Sequence, residues 1–321
     1  IIYTVIYIMS TFDNKYDLFL EPKTKQYGTH MVMSNVHKPS RQKYINIDTK
    51  FRDEYNDTQT TNSNADLLSN QSATSNYFVT IPEKINDVKT ISVTNIEMPM
   101  SFYNISANLG NNYFKTLVSG NETIVTIPDG NYSASTLETT LNELLANLGI
   151  GLSFNIDNNT HTSVVSDGSI EIHFDINNAG INDKFRFKSK FGWLLGFRDT
   201  TYTVTTVAIT SECFSTLHGS KYLYLAIEEF NRGSQNSFVS PLFSSFVNKN
   251  IIARIAIDKV NYPFGSILPA NCYNGLLISD IRSYNGKIDL QKLNISILNE
   301  DGIPITLNGL DFSFCLKVEH E

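Results

Sequence analysis

The pattern of apolar and polar positions changes near Tyr77. Before it most residues are polar, and stretches such as 56–64 and 71–76 consist largely of Asn, Ser, Thr and Gln. Such segments cannot bury enough apolar surface to offset the entropy lost on ordering. We therefore expect residues 1–76 to form an extended N-terminal arm and residues 77–321 to form a jelly-roll-like β domain. Within the arm, residues 44–48 alternate as a strand does.

From Tyr77 onward, short strand-like runs are separated by turn residues. Pairs such as Asp167-Gly168 and Asn274-Gly275 tolerate positive φ and are typical of tight turns. Many short strands at this spacing favour an all-β sandwich over a parallel sheet. The predicted strands span residues 77–81, 88–98, 113–118, 123–127, 152–156, 170–176, 184–188, 202–209, 222–227, 251–257, 276–279, 293–298 and 311–318.

One helix is predicted over residues 135–148. Ser135 and Glu138 have the spacing of a capping box, and Gly149 suits the position that follows a helix. Leucines recur at helical spacing and predict a face that packs against a sheet. These leucines are Leu137, Leu141, Leu144, Leu145 and Leu148.

A second short helix or turn is predicted over residues 191–195. It contains Trp193, the sole tryptophan, which we expect to anchor the core together with Leu194 and Phe197. Just before it, residues 184–190 alternate Phe with Lys or Arg. Basic and aromatic side chains together can bind single-stranded nucleic acid, but strict alternation favours an amphipathic strand.

The last part of the sequence predicts a hairpin between residues 293–298 and 311–316. Alternation places Phe312 and Phe314 on the core side and Ser313 on the opposite side. We expect the outer face of this hairpin, at Ser313, to be either solvated or a contact with a neighbouring subunit.

Composition narrows the classes of function. Charged residues make up 18% of the 321-residue chain and its formal net charge is −7, whereas soluble domains average about 25% charged residues. Non-specific nucleic-acid binding requires clustered Lys and Arg, so direct genome binding is not expected. A polar, weakly charged surface suits a protein packed among neighbours. Enrichment in Asn, Ile and Lys also fits an AT-rich genome.

No pattern of catalytic residues is recognisable. Cys213, Cys272 and Cys315 are widely spaced, and the six histidines show no metal-ligand spacing. Phosphate-binding loops and nucleophile elbows are absent from the sequence. Glu228 and Glu229 end a strand-like run, so we expect them on opposite faces, one outward and one at the rim. Neither enzymatic activity nor a cofactor is predicted.

The first eight residues are apolar but much shorter than the roughly 20 residues that span a bilayer. We expect Met9 to be the initiator. The alternative is a β-prone arm that adds a strand to a neighbouring subunit.

Several short segments occur in an order that resembles the minor capsid proteins of large icosahedral nucleocytoplasmic DNA viruses. The resemblance runs from about Tyr44 to the C-terminus. The segments are YINIDTKFRD (44–53), IEMP (96–99), FYNIS (102–106), IPDGNY (127–132), FGWLLGFR (191–198) and DFSF (311–314).

The resemblance implies a structural protein that cements or links major capsid capsomers from the inner side of the shell. Its partners would be the major capsid protein and other minor capsid proteins, in multiple copies per particle. It would be made in the host cytoplasm and would act in the virion; contact with the inner membrane is left open.

Within the arm, Phe51, Arg52 and Asp53 combine an aromatic anchor with charges that suit an interface. A local turn capped by Asp is the alternative for this segment. With Ser313, these three residues are the candidate interface. An attachment-type β-sandwich that binds carbohydrate is the alternative function, and an enzyme on the same scaffold would lack a metal-ligand set.

Overall fold

Strands dominate the structure, a computed structural model that describes residues 39–52, 75–157, 159–183, 186–230 and 250–321. Within these ranges the α-helices are α1 (Ala134–Asn147) and α2 (Phe191–Leu194). The strands are β1 (Arg41–Asp48), β2 (Asn76–Pro99), β3 (Tyr113–Val118), β4 (Asn121–Thr126), β5 (Leu152–Asn155), β6 (His161–Ser166), β7 (Ile170–His173), β8 (Thr201–Val204), β9 (Ile209–Phe214), β10 (Tyr222–Glu228), β11 (Ile251–Ala256), β12 (Ile267–Asn271), β13 (Leu277–Ser279), β14 (Arg282–Leu298) and β15 (Ser313–His320). The predicted all-β, jelly-roll-like sandwich is confirmed, whereas the division into an arm and one β domain stays a prediction.

The main sheet has the strand order β1-β15-β2-β14-β10-β11-β13, and β12 also pairs with β2. The long strand β2 contains 24 residues. It pairs with β14 along its first part and with β15 along its second. Asp87 lies near this change of partner with a left-handed φ of 56°. β2 therefore connects the C-terminal strand to the central strand β14.

The predicted C-terminal hairpin is wrong, because β14 and β15 are not neighbours in the sheet. β2 lies between them: Ile295 of β14 pairs with Tyr77, and Phe314 of β15 pairs with Ile96. The predicted facing of the side chains is confirmed, since Phe314 is buried and Ser313 is half-buried. Alternation determines the buried face of a strand, but the partner is selected by residues distant in the sequence.

The first hydrophobic core is formed by the strands of the main sheet. Both the N-terminal strand and the C-terminal strand belong to it, through Ile47 of β1 and Val318 of β15. Each fully buried side chain of this type stabilises the fold by roughly 1.5–3 kcal/mol. β1 is thus an integral strand of the sandwich. Other members include Val88, Ile91, Ile96, Leu225, Ile255, Leu290, Ile295 and Phe314.

A second hydrophobic core is formed by residues between β2 and β10. Two small sheets contribute to it, one with the order β4-β3-β7-β8 and one with the order β5-β6-β9. At its centre the ring of Phe114 stacks on Phe191 with centroids 5.5 Å apart and meets Phe154 edge-on at 6.0 Å. A contiguous segment therefore builds its own core within the chain.

Helix α1 closes this second core, but it begins earlier than predicted. Its N-cap is Ser133, which forms a capping box with Thr136, so the predicted pair of Ser135 and Glu138 is wrong. Glu138 instead accepts a hydrogen bond from the Ile156 amide at 2.8 Å. The predicted leucine stripe is largely buried, although Leu148 lies beyond the helix and is 46% exposed. Gly149 ends the helix with a φ of 67°, as predicted.

The short helix α2 is confirmed, but Trp193 is not a core residue. Trp193 is half-buried, whereas Phe191 and Phe197 are fully buried in the second core. The predicted strand over residues 184–188 is also wrong in its described part, because Phe187–Ser189 is a 3₁₀ turn. Arg186 precedes this turn with a left-handed φ of 57°, which ends any extended run. Lys184 and Phe185 lie outside the described residues.

Candidate functional site

The N-terminal strand β1 is fixed to the C-terminal strand β15 by a polar cluster around Thr49. The Thr49 amide donates to the Phe312 carbonyl at 3.0 Å. The Thr49 hydroxyl accepts from the Phe312 amide at 2.9 Å and donates to Asp311 Oδ1 at 2.8 Å. Thr49 is fully buried. We call Thr49, Arg52, Asp311 and Phe312 the arm junction.

Two of the predicted interface residues lie at this junction with opposite environments. Arg52 is 2% exposed, and its guanidinium donates to the Thr49 carbonyl at 3.1 Å and lies 3.4 Å from Asp311 Oδ1. The neighbouring Phe51 is 64% exposed. Arg52 therefore contacts residues of its own chain, whereas the Phe51 side chain is exposed.

Of the other predicted interface residues, Ser313 lies on β15 opposite Asp48 of β1. Ser313 is half-buried and its hydroxyl donates to Glu97 Oε2 at 2.8 Å. Asp53 lies outside the described residues. Asp48 caps the local turn by accepting from the Lys50 amide at 2.9 Å, which is the alternative that the sequence left open. Whether Phe51, Arg52, Asp53 and Ser313 contact a neighbouring subunit stays a prediction.

Tyr77 packs against the arm junction through its ring. It is 1% exposed, and its ring meets Phe312 edge-on with centroids 6.0 Å apart. Its hydroxyl is buried with no hydrogen-bond partner among the described residues. Burial raises the pKa of this phenol, and the Asp48 carboxylate raises it further. The hydroxyl therefore stays neutral, and the ring alone contributes to the junction.

A second polar cluster, which we call the insert junction, forms where the chain enters and leaves the second core. The Asn104 amide group donates to the carbonyls of Tyr132 at 2.8 Å and Leu217 at 2.7 Å. Its Oδ1 accepts from the Tyr132 amide at 2.8 Å. Asp129 accepts from the Ala107 amide at 2.9 Å. One buried asparagine thus holds three chain segments together, and spacing in the sequence does not reveal this.

A polar groove with a volume of about 320 Å³ is lined by residues that flank both cores. Asp301 lies within it and accepts from Arg186 at 3.3 Å and from the Ser189 hydroxyl at 3.1 Å. Trp193 forms part of the wall, and the Arg198 guanidinium lies 3.9 Å from its ring centroid. Amide, hydroxyl, carboxylate and indole groups together can bind a polar ligand, although Arg198 already covers one face of the indole.

A buried ion pair lies at the ends of β10 and β14. Arg282 is fully buried and donates to Glu229 Oε2 at 2.8 Å, with the Glu229 side chain 2% exposed. The same guanidinium donates to the carbonyls of Ile227 at 2.8 Å and Asn250 at 2.6 Å. Glu228 is exposed. The prediction of opposite faces is correct, but that of a rim carboxylate is wrong for Glu229, and no sequence pattern marks Arg282 as its partner.

Across the described ranges, His, Cys, Asp and Glu side chains form no group of three or more that could hold a metal ion. In the same part of the chain, neither helix is long and apolar enough to cross a bilayer. The polar sites that the structure does show are the two junctions, the groove and the buried ion pair.

The fold is similar to that of the mavirus penton protein, known from a crystal structure of the selenomethionine-labelled protein. The two chains share 14% sequence identity, and the match covers 87% of this chain and 99% of that chain with a TM-score of 0.35. No protein-family profile and no curated protein matches the chain. At this identity and TM-score, the similarity assigns neither a family nor a function.

Proposed function

We propose that the chain is a structural minor capsid protein of a large icosahedral DNA virus, joining major capsid capsomers from the inner side of the shell. It works through complementary surfaces and strand contacts with its neighbours, without catalytic turnover and without a cofactor. Its partners are the major capsid protein and other minor capsid proteins. Multiple copies act in each virion after synthesis in the host cytoplasm.

The arm junction carries this proposal. Segments 44–53 and 311–314, on which the resemblance to minor capsid proteins rests, are distant in sequence but bind each other there through Thr49 and Phe312. Segments 102–106 and 127–132 likewise meet at the insert junction through Asn104 and Tyr132. The shared segments thus make the contacts that assemble a β scaffold, which supports a structural role.

Phe51, which lies in sequence between Thr49 and Arg52 of the arm junction, is the residue best suited to contact a capsomer. Its ring is exposed, while the adjacent Arg52 is held by Thr49 and Asp311. An aromatic side chain on a rigid base loses little conformational freedom when a partner buries it. Asp53 and Ser313 are the other residues of the proposed interface.

The proposal is tested by replacing Phe51 with Ser. We expect at least a tenfold loss of binding to purified major capsid protein and a matching loss of incorporation into particles. The melting temperature should be unchanged because the ring is exposed. Tyr273→Ser is the matched control, since Tyr273 is 97% exposed in a turn remote in sequence from the arm junction. Normal binding and incorporation of the Phe51 variant would refute the proposed interface.

Carbohydrate binding at the polar groove is the second candidate function, because Trp193 lies in its wall and not in the core. Trp193 is the sole tryptophan, so its fluorescence reports directly on this groove. Titration with neutral and sialylated oligosaccharides should change the emission, and Asp301→Asn should weaken the response. No spectral change at millimolar sugar would exclude this function.

A further inference from the structure

β1 is an edge strand whose second side is open within the part of the chain that the structure describes. It lies at the end of the main sheet and pairs there with β15. Proteins protect exposed edges with prolines, bulges, very short strands or charged side chains, especially Lys. β1 contains eight residues and no proline, and its ladder to β15 has no register shift. Its charged residues are Arg41, exposed at the first position, Asp48, half-buried at the last, and Lys43, which is paired with Glu83 at 2.7 Å.

The hydrogen-bond pattern shows which backbone groups the edge offers. The Thr49 amide bonds to the Phe312 carbonyl directly opposite, one step beyond the pair of Asp48 and Ser313. Bonded and non-bonded pairs alternate along an antiparallel ladder. Odd-numbered residues of β1 therefore bond to β15, and even-numbered residues direct their N–H and C=O groups outward. The outward set is Gln42, Tyr44, Asn46 and Asp48.

The side chains of this outward set also lie on one face of the sheet. Gln42, Tyr44 and Asn46 are exposed, with Tyr44 at 59%, whereas Ile47 on the opposite face is buried in the first core. The three exposed side chains are uncharged. In antiparallel twofold pairing centred on Tyr44, Asp48 lies opposite Ser40, so a second β1 meets no like charge across the edge on this face.

We infer that this edge binds β1 of a second copy of the chain, antiparallel, about a twofold axis at Tyr44. Twofold pairing requires that outward-bonding residues oppose outward-bonding residues, and the even-numbered set satisfies this. Tyr44 then faces Tyr44 of the partner copy, and Gln42 faces Asn46. Aromatic and polar cross-strand pairs of this kind stabilise a sheet, so the strand is complementary to itself.

This inference deepens the proposed function and rests on it, because a shell protein present in multiple copies meets other copies at high local concentration. Pairing of two edges alone buries little surface and is weak in dilute solution. Repetition within a shell would strengthen it through multivalency.

Proline substitutions distinguish hydrogen bonds at the outer edge of β1 from those between β1 and β15. Asn46→Pro removes an outward N–H and leaves the bonds to β15 intact, whereas Ile45→Pro removes an inward one. In sedimentation equilibrium of the chain at concentrations up to its solubility limit, we expect the wild type to dimerise and Asn46→Pro to weaken the dimer at least tenfold at an unchanged melting temperature. Ile45→Pro should lower the melting temperature.

Cysteine cross-linking tests the register. Opposed Cα atoms in a bonded antiparallel pair are about 5.5 Å apart, within the range of a disulfide. In a chain with its native cysteines replaced by Ser, Tyr44→Cys should form a disulfide dimer at least ten times faster than the exposed control Tyr273→Cys.

Equal cross-linking rates for these two variants would overturn the inference, as would a wild-type chain that stays monomeric at its solubility limit. A monomer that loses thermal stability with Asn46→Pro would show that the chain itself covers the edge, which also overturns it. Each assay uses the purified chain alone. Its failure would leave the binding of Phe51 to major capsid protein untouched, so the two proposals fail independently.

Discussion

Replacing Thr49 by Val tests the arm junction with almost no change in side-chain shape. The substitution removes the hydroxyl that accepts from the Phe312 amide at 2.9 Å and donates to Asp311 at 2.8 Å. An unsatisfied buried amide costs about 1–3 kcal/mol. Asp311 is 38% exposed, so water replaces its lost bond at little cost. We expect a loss of about 2–3 kcal/mol in the free energy of unfolding.

The measurement is urea denaturation at neutral pH, in which the midpoint should fall while the m-value stays constant. Tyr77→Phe is the matched control at the same junction. It also removes one buried hydroxyl, but that hydroxyl has no partner among the described residues. Its removal should change the free energy of unfolding by less than about 0.5 kcal/mol, or stabilise the protein slightly.

The pair of variants gives a clear refutation. If Thr49→Val unfolds within about 0.5 kcal/mol of the wild type, the hydrogen bonds at Thr49 contribute nothing to holding β1 on β15. If Tyr77→Phe is instead the more costly change, the polar contacts of the junction are arranged differently from those described. In either case the arm junction would cease to support the structural role.

Three further predictions concern the buried ion pair, the second core and the C-terminus. Arg282→Met should destabilise the protein by about 3–5 kcal/mol in urea denaturation, because it removes the cation that pairs with the buried Glu229 carboxylate. Phe191→Ala should cost about 3–5 kcal/mol, and Trp193→Ala only about 1–2, contrary to the core position expected from sequence. A hydrogen bond from Lys287 lowers the pKa of Glu321 from 4.5 to about 2; the stabilisation is present above pH 4.5 and is lost as the pH falls toward 2. The melting-temperature difference between wild type and Glu321→Gln should shrink over that interval.

Local patterns predicted much of the secondary structure. The runs 222–227 and 251–257 correspond to β10 (Tyr222–Glu228) and β11 (Ile251–Ala256). Gly275 and Asn308 adopt positive φ, as their turn pairs indicate. These features depend on residues a few positions apart, and alternation or turn chemistry therefore reports them. The sequence did not predict β6 (His161–Ser166), because its mostly polar residues show no clear alternation of apolar and polar positions.

Long-range pairing could not be predicted in the same way. The alternation of residues 293–298 and 311–316 gave the correct buried faces, but it contains no information on which strand lies between them. β2 takes that place: its 24 residues pair with β14 along the first part and with β15 along the second. Likewise, Trp193 was expected in the core from its size, whereas the flanking Phe191 and Phe197 fill that position. The sequence does not show which of several neighbouring aromatic side chains is buried in the second core, because that depends on tertiary packing.

The segment from Thr49 to Arg52 shows why candidate interface residues need the structure. The sequence offers an aromatic residue beside an arginine, a combination common at interfaces. In the fold, Arg52 and Thr49 fix the turn to Asp311 and Phe312. Because that turn is held by the chain itself, the exposed Phe51 is positioned before any partner binds. If Phe51 binds a capsomer as proposed, that binding depends indirectly on the buried Arg52, and weakening the arm junction should weaken assembly as well as folding.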